Sequence, residues 1–332
     1  MIKPQDINPL EDNTMHIDVF NGDADGICAL VQLRLAEPIQ SKLITGVKRD
    51  IQLLEQVSAQ ANDQVTVLDI SLEKNRKALD RILEQGASVF YVDHHQPGEI
   101  PQHPHLKTLI NTDANTCTSL LVDQHLKGKY RAWAVTAAFG DNLIDSAEQA
   151  AASLSLSASE LKKLNDLGVC INYNGYGSHV SDLHFAPDAL FRELAPYASP
   201  FDFMTDNAVT YQKLLAGYAA DMSQALQIKP EYRTDRIAVY ILPDEAWARR
   251  ISGVFGNELA NRNPDCAHAV FSYTEQGDYQ ISVRAALNNK TGADELCSSF
   301  PTGGGRKSAA GINHLPLDQL SVFITAFEQK YR

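Results

Sequence analysis

An aspartate and two histidines stand in a row at Asp93, His94 and His95, at the end of the apolar run Ala87–Val92. Carboxylate and imidazole together suit a divalent metal of hard to borderline character. The triplet also falls where a strand should run out into a loop, which is where α/β proteins hold their ligands. Further aspartates have comparable positions: Asp23 and Asp25 within Asn21–Gly26, Asp69 at the end of Val65–Ile70, and Asp141 after Tyr130–Phe139.

Each of these has an ordinary structural role open to it. Asp23 and Asp25 could form an Asx turn and helix N-cap, with Gly22 and Gly26 permitting the tight backbone. Asp69, or equally Ser71, could cap the helix that begins near Leu72. An acid at a helix C-terminus, as Asp141 would be, opposes the macrodipole and calls for a partner such as a metal. Taken together, three of these acid-bearing loops follow strands of a parallel sheet, which would gather them at one edge. Four or five carboxylates with one or two imidazoles exceed the needs of a single ion. A pair sharing a bridging carboxylate fits better, and that arrangement activates water for in-line attack on phosphorus. A donor set without cysteine suits Mn²⁺ or Mg²⁺ and, less decisively, Fe²⁺, Co²⁺ or Zn²⁺.

A second group lies near the C-terminus. The run Gly303-Gly304-Gly305-Arg306-Lys307-Ser308-Ala309-Ala310-Gly311 joins bare backbone N–H groups to two cations and a hydroxyl. It could accept a phosphate or carboxylate, or form a flexible surface turn. Arg284, in Ser282-Val283-Arg284, is either a bidentate phosphate donor or an exposed strand residue. His103 and His105 lie in a proline-punctuated loop, and His125 and His268 on a helix face and a strand. His179, His184, Tyr173 and Tyr176, in or beside Asn172–Ser181, could line a cleft or stack on a base, with packing as the plainer role. No Gly-x-Ser-x-Gly motif supports a serine hydrolase.

The elements that must position these residues alternate. Strands are expected at His16–Phe20, Leu43–Val47, Gln64–Ile70 and Ala87–Val92, with helices at Ile27–Ala36, Ile51–Ala61 and Glu73–Gln85. That is the pattern of a parallel sheet with helices on its faces. Helices are then expected at Thr116–Leu126, Tyr130–Phe139, Ser146–Leu154, Ala158–Leu167, Ala189–Tyr197 and Phe203–Leu226, with an irregular stretch at Asn172–Ser181. From Arg236 the pattern restarts with strands Ile237–Leu242, Ala267–Tyr273 and Tyr279–Ala285, a helix Glu245–Ala260 and a closing helix Asp318–Lys330.

The whole chain carries 29 basic and 41 acidic residues, a net charge of −12, which argues against a broad electropositive face for duplex nucleic acid. Five scattered cysteines without a C-x-x-C pair suit reduced thiols in the cytoplasm. Met1–Thr14 is polar and lacks an apolar core, and no stretch is long enough to span a bilayer.

In their order, Asp23-x-Asp25-Gly26, Asp69, Asp93-His94-His95 and Gly140-Asp141 resemble the four motifs of the DHH phosphoesterase superfamily. Ser282-x-Arg284 followed by Gly303–Gly311 is similar to its associated C-terminal domain. The superfamily includes single-strand exonucleases, nano-RNases that also dephosphorylate bisphosphonucleotides, and cyclic-dinucleotide phosphodiesterases. The resemblance implies an α/β fold: a parallel-sheet catalytic domain over 15–190 with helices on both faces, a helical linker over 191–235, and a smaller α/β substrate-binding domain over 236–332 across a cleft. It implies a hydrolase with a pair of Mn²⁺ ions, Mg²⁺ or Co²⁺ being substitutes. Asp23, Asp25, Asp69, His94 and Asp141 would be ligands, with Asp69 as the bridge. His95 would face the scissile phosphate, Asp93 would orient His94, and Arg284 with Ser282, Gly303, Gly304, Gly305 and Arg306 would hold the substrate.

That substrate would be a short single-stranded oligonucleotide or a nucleotide, and a homodimer is compatible with the sequence. The rival expectation is a catalytically reduced sensor that binds nucleotide or metal. Two departures motivate it. Several relatives place a histidine ligand just before the first aspartate, where this chain has Val19-Phe20-Asn21-Gly22, and Arg306 stands where histidine commonly follows the glycines.

Overall fold

The computed structural model describes residues 14–274 and 276–332, so the polar stretch Met1–Thr14 lies, but for Thr14, outside the described residues. The first half of the chain carries the four expected strands and two of the three expected helices, with a fifth strand that the sequence did not announce: β1 (His16–Phe20), α1 (Ala24–Ala36), β2 (Lys42–Ile44), β3 (Gln64–Leu68), α2 (Leu72–Glu84), β4 (Ser88–Asp93) and β5 (Leu106–Ile110). All five strands are parallel, in the order β2-β1-β3-β4-β5. Alternate residues of each strand face opposite ways. Ile17, Val19, Val65, Val67, Val89 and Tyr91 pack toward α2, while Phe20, Leu68 and Val92 join the core formed with α1 and the helices that follow.

Those helices are α3 (Thr118–His125), α4 (Arg131–Gly140), α5 (Ile144–Ala151), α6 (Ala158–Gly175), α7 (Pro187–Leu194), α8 (Pro200–Asp206) and α9 (Ala208–Ala225). A second, mixed sheet follows, from β6 (Tyr232–Arg233), β7 (Ile237–Ile241), α10 (Ala246–Arg262), β8 (Ala267–Tyr273), β9 (Tyr279–Arg284), α11 (Ala293–Ser298), β10 (Gly303–Gly305) and β11 (Ala309–Leu315), closed by α12 (Leu320–Lys330). Its order is β10-β11-β9-β8-β7-β6, parallel only between β7 and β8. Among the described residues no helix is long and apolar enough to cross a membrane.

Several elements differ from expectation, each for a local reason. Residues 51–61 form only a short 3₁₀ turn at Leu53–Gln56. The Asn75 side chain accepts from Leu54 N at 3.2 Å and donates to Ile51 O at 2.6 Å, satisfying backbone groups that a helix would have paired. The stretch 203–226 is broken at Asn207, whose side chain caps α9 by accepting from Thr210 N. Conversely, α6 runs through Asn172–Gly175, the start of the segment expected to be irregular, because Asn172 and Asn174 find partners in Lys48 and Phe185. The triple glycine forms β10, an edge strand paired to β11, and not a flexible surface turn. Gly303 passes α11 so closely that a Cβ there would lie 1.8 Å from Cys297 O.

The end of α4, which carries Asp141, is drawn against α6 and the start of α1. A Cβ on Gly168 would stand 2.0 Å from Thr136 O, and one on Gly140 2.5 Å from the Ala24 Cβ. Gly168→Ala is therefore expected to cost about 1–3 kcal/mol of stability by forcing these helices apart. Chemical denaturation measures that cost, and an unchanged midpoint would show that the crossing yields freely.

Candidate metal centre

The strand order reverses direction between β1 and β3, the switch point at which a doubly wound sheet opens a crevice beyond its carboxyl ends. Asp23 and Asp25 follow β1, Asp69 follows β3, and Asp93, His94 and His95 end β4. Asp141 arrives from α4. The structure thus brings all of these residues to one edge, and Asp23, Asp25, Asp69, Asp93 and His94 are buried.

The centre of the group is His94. Its Nδ1 lies 2.9 Å from the carbonyl of Thr116, an acceptor only, so Nδ1 carries the proton. Nε2 faces Asp69 Oδ1 (3.3 Å), Asp25 Oδ2 (3.9 Å) and Asp141 Oδ2 (3.9 Å). Three carboxylate oxygens around one ring nitrogen call for a proton or a cation between them. Asp25, His94 and Asp141 can converge on one point, as can Asp69, His94 and His95. This donor set fits a divalent cation of the Mn²⁺ or Mg²⁺ type.

The sequence holds each ligand candidate rigidly. Asp25 accepts from the backbone N–H groups of Thr118 and Ser119, both at 2.7 Å, and so caps α3 while facing the centre. Asp69 sits at φ +59°, the left-handed region that aspartate tolerates better than most residues, and accepts from Thr118 Oγ1 at 3.3 Å. Asp23 is the N-cap of α1, its Oδ1 accepting from Asp25 N (3.0 Å) and Gly26 N (3.1 Å). Helix α1 begins at Ala24, three residues before the expected Ile27, and Asp23 takes the N-cap role that was open to it.

Crowding of like charge is visible in the titration of these groups. Burial, then Asp141, raises the Asp25 carboxyl above its ordinary 3.8, and burial, then Asp25 and Asp23, raises Asp69 well above it. Burial also works against the Asp141 anion, but Lys48, with Arg306 and His94, outweighs it and holds that carboxyl below the usual range. A carboxyl raised by folding favours its neutral form. The stability that Asp25 and Asp69 contribute in metal-free protein is therefore complete below 3.8 and is lost as pH rises through their folded values. A bound cation reverses this, because it competes with those protons. The rise in melting temperature on adding Mn²⁺ is accordingly expected to be larger at about pH 8 than at about pH 5. A Mn²⁺ effect that shrank with rising pH would contradict the ligand set.

Two expectations need correction. Asp93 does not orient His94: its Oδ1 lies 2.7 Å from Nδ1 of His95, and Thr116 holds His94 instead. Arg284 is committed to α10, donating to Asn257 Oδ1 (2.5 Å), Gly253 O (3.2 Å) and its neighbour Val283 O (3.1 Å). The cation that reaches the acids from the second sheet is Arg306, 3.8 Å from Asp141 Oδ2. Ser282 receives Arg49 Nη2 at 3.4 Å. Tyr173, fully buried, bonds Asp221, His184 and Arg250 and is a packing residue.

Sequence reasoning missed Lys48, Arg49 and Asn172. Lys48 Nζ bonds Asp23 Oδ2, Asp141 Oδ1 (3.3 Å) and Asn172 Oδ1 (2.9 Å). Arg49 crosses to the second sheet, donating to Asn313 Oδ1 at 3.1 Å. Burial pulls its titration below the ordinary arginine value, and nearby Arg284 adds to that. Among the described residues neither Arg49 nor Arg284 forms an ion pair with a carboxylate; their partners are the neutral groups named above. A cleft of about 220 Å³ opens beside Arg49, lined by Val47, Arg49, Asp50, Gly177, Asn313 and His314 among others. Lys48 and Arg49 follow β2 just as the acids follow their strands, and that placement was the available signal.

Neither a protein-family model nor a curated protein matches the chain. Solved structures do. RecJ from Thermus thermophilus in complex with Mn²⁺ superposes with a TM-score of 0.60 at 18% identity, covering 95% of this chain and 51% of that one. Exonuclease RecJ bound to manganese gives 0.57 at 17% identity, covering 95% and 89%. The pGpG-specific phosphodiesterase PggH from Vibrio cholerae gives 0.52 at 15% identity, covering 95% and 98%. The chain spans about half the length of the Thermus protein. At these identities the likeness is one of fold.

Proposed function

We propose that this chain is a divalent-metal-dependent phosphoesterase acting on short single-stranded oligonucleotides or nucleotide phosphates. The observation that carries the reading is Nε2 of His94 facing Asp25, Asp69 and Asp141 at the switch point of the sheet. These four residues would hold the ion. Mn²⁺ is favoured because both RecJ neighbours hold manganese. A bound ion of this kind supplies a Lewis acid and lowers the pKa of water at neutral pH.

The remaining residues would act on the substrate. His95 is the half-exposed histidine of the pair, with 40% of its side chain accessible against 3% for His94, so its free edge is the one a phosphate ester meets. Asp93 fixes that ring through Nδ1. Arg306 approaches from the hairpin β10–β11 and Arg49 lines the cleft between the sheets, and the two supply the positive charge that a phosphate chain needs. Residues up to about 190 would carry the metal, 191–235 the connection and 236–332 the substrate contacts. The small cleft and the net charge of −12 favour a short substrate over a long strand drawn through a basic channel. PggH acts on pGpG, so a dinucleotide is the first substrate to try.

The test is hydrolysis of a dinucleotide, a cyclic dinucleotide, a nucleoside 3′,5′-bisphosphate and a model phosphodiester, each with Mn²⁺ and with chelator. Metal-dependent turnover of at least one is expected. Tight nucleotide binding without turnover of any would instead support a sensor.

A further inference from the structure

Lys48 sits among the acids of the metal centre in a way that an ordinary surface lysine does not. Its Nζ contacts three oxygens, those of Asp23, Asp141 and Asn172, which matches the three N–H bonds of an ammonium. Its main chain is fixed on both sides. The N–H donates to Gly175 O at 2.7 Å, and the carbonyl accepts from Asn21 Nδ2 at 3.2 Å. The Tyr176 ring stands 5.4 Å from Nζ. Elements far apart in sequence, the loop after β1, the loop after β2 and the end of α6, thus close on one cation.

The carboxylates divide around it. Asp23 spends Oδ1 on the two backbone N–H groups of its helix cap and Oδ2 on Lys48. Asp141 turns Oδ1 to Lys48 and Oδ2 toward His94 and Arg306. Asp141 is therefore shared between the ammonium and the position in front of His94, as a bridging carboxylate is shared between two ions.

Charge favours the same division. Asp23, Asp25, Asp69 and Asp141, less the Lys48 ammonium and the Arg306 guanidinium beside Asp141, leave two negative charges, which one divalent ion neutralises. A second divalent ion would make the cluster positive and place a dication beside an ammonium that shares its ligands, a repulsion that the low-dielectric setting strengthens. We propose that Lys48 stands in place of a second divalent ion, so that each chain binds one ion in front of His94 and the ammonium completes the charge balance across Asp23 and Asp141. This rests on the metal-dependent reading above and narrows it from a pair of ions to one.

Metal counting on the full chain tests the inference apart from activity. Equilibrium dialysis against Mn²⁺ followed by elemental analysis is expected to give one ion per chain. Electron paramagnetic resonance should show the resolved hyperfine pattern of an isolated Mn²⁺. Lys48→Met, close in length and uncharged, frees the oxygens of Asp23, Asp141 and Asn172 and is expected to take up a second ion, with the spectrum broadened by coupling. Two coupled ions in the unaltered protein would overturn the inference and leave the phosphoesterase reading standing. A folded Lys48→Met protein that still binds one ion would also overturn it, since something else would then set the count. Should that variant fail to fold by circular dichroism, Lys48→Arg keeps the cation and is expected to stay at one ion; uptake of two would count against the role. Absence of Mn²⁺ uptake by the unaltered protein would sink the metal reading itself, and this inference with it.

Discussion

Asp69→Asn is expected to lower metal-dependent hydrolysis by about 10³-fold or more in kcat/KM, which is about 4 kcal/mol of transition-state stabilisation at roughly 1.4 kcal/mol per tenfold. Asp69 Oδ1 is the carboxylate oxygen nearest Nε2 of His94, at 3.3 Å, and removing its charge weakens the ion's grip at the point where both possible donor groupings depend on His94. Asparagine is the informative replacement. At φ +59° a left-handed backbone is tolerated by asparagine but costs alanine about 1 kcal/mol, so Asp69→Ala would mix a folding defect with a chemical one. The amide also keeps an acceptor for Thr118 Oγ1.

The same substitution should stabilise metal-free protein near neutral pH. Burial and the charges of Asp25 and Asp23 disfavour the Asp69 anion, and the neutral amide removes that strain. Loss of activity together with a higher metal-free melting temperature is a signature that simple misfolding does not produce. Retained activity within a few-fold would remove Asp69 from the ligand set.

The cluster of acids and histidines was legible in the sequence because a parallel sheet converts chain position into spatial position. Residues just past β1, β3 and β4 must share an edge, whatever the distances between them in sequence. The partners of that cluster were less legible. Lys48 meets Asp141 and Asn172 across 93 and 124 residues, and no spacing rule reports such contacts. Its position after β2 carried the same information as the positions of the acids, but a cation there matched no metal pattern and drew no attention.

Arg284 failed for a different reason. Strand periodicity places it on one face of β9 without saying what covers that face. The cover is α10, whose Gly253, Gly256 and Asn257 lie on one side of the helix and admit the arginine closely. The secondary structure that eluded the sequence was short or overridden by a side chain. The half-buried β5 shows little apolar patterning, and the helical spacing of 51–61 lost to the hydrogen bonds of Asn75. Glycine composition predicted looseness at 303–305, whereas close packing against Cys297 is what requires Gly303.

His95 should separate from His94 in experiment, although both stand beside Asp69. Burial disfavours its imidazolium, but the hydrogen bond and charge of Asp93 outweigh that, and His95 titrates above the ordinary 6.5. A histidine raised in this way stays protonated toward neutral pH and can donate to a phosphate oxygen or a leaving group. Activity that needs the protonated ring is present below that raised value and falls as pH climbs through it. His95→Ala is therefore expected to cost about 10²- to 10³-fold in kcat, a typical span for a positioned proton donor. Mn²⁺ affinity should change by less than about tenfold, the lower end of what an outer-shell metal contact costs. His94→Ala should instead lose Mn²⁺ binding outright, because Nε2 of His94 faces all three carboxylates.

Asp93→Asn supplies the decisive pH profile. It leaves a hydrogen-bond acceptor on His95 Nδ1 but removes the charge that raises its titration, so the alkaline limb of kcat should move to lower pH. An alkaline limb that stayed in place, or a His95→Ala protein that lost its metal as His94→Ala does, would make His95 a ligand and leave Asp93 as the residue that orients it.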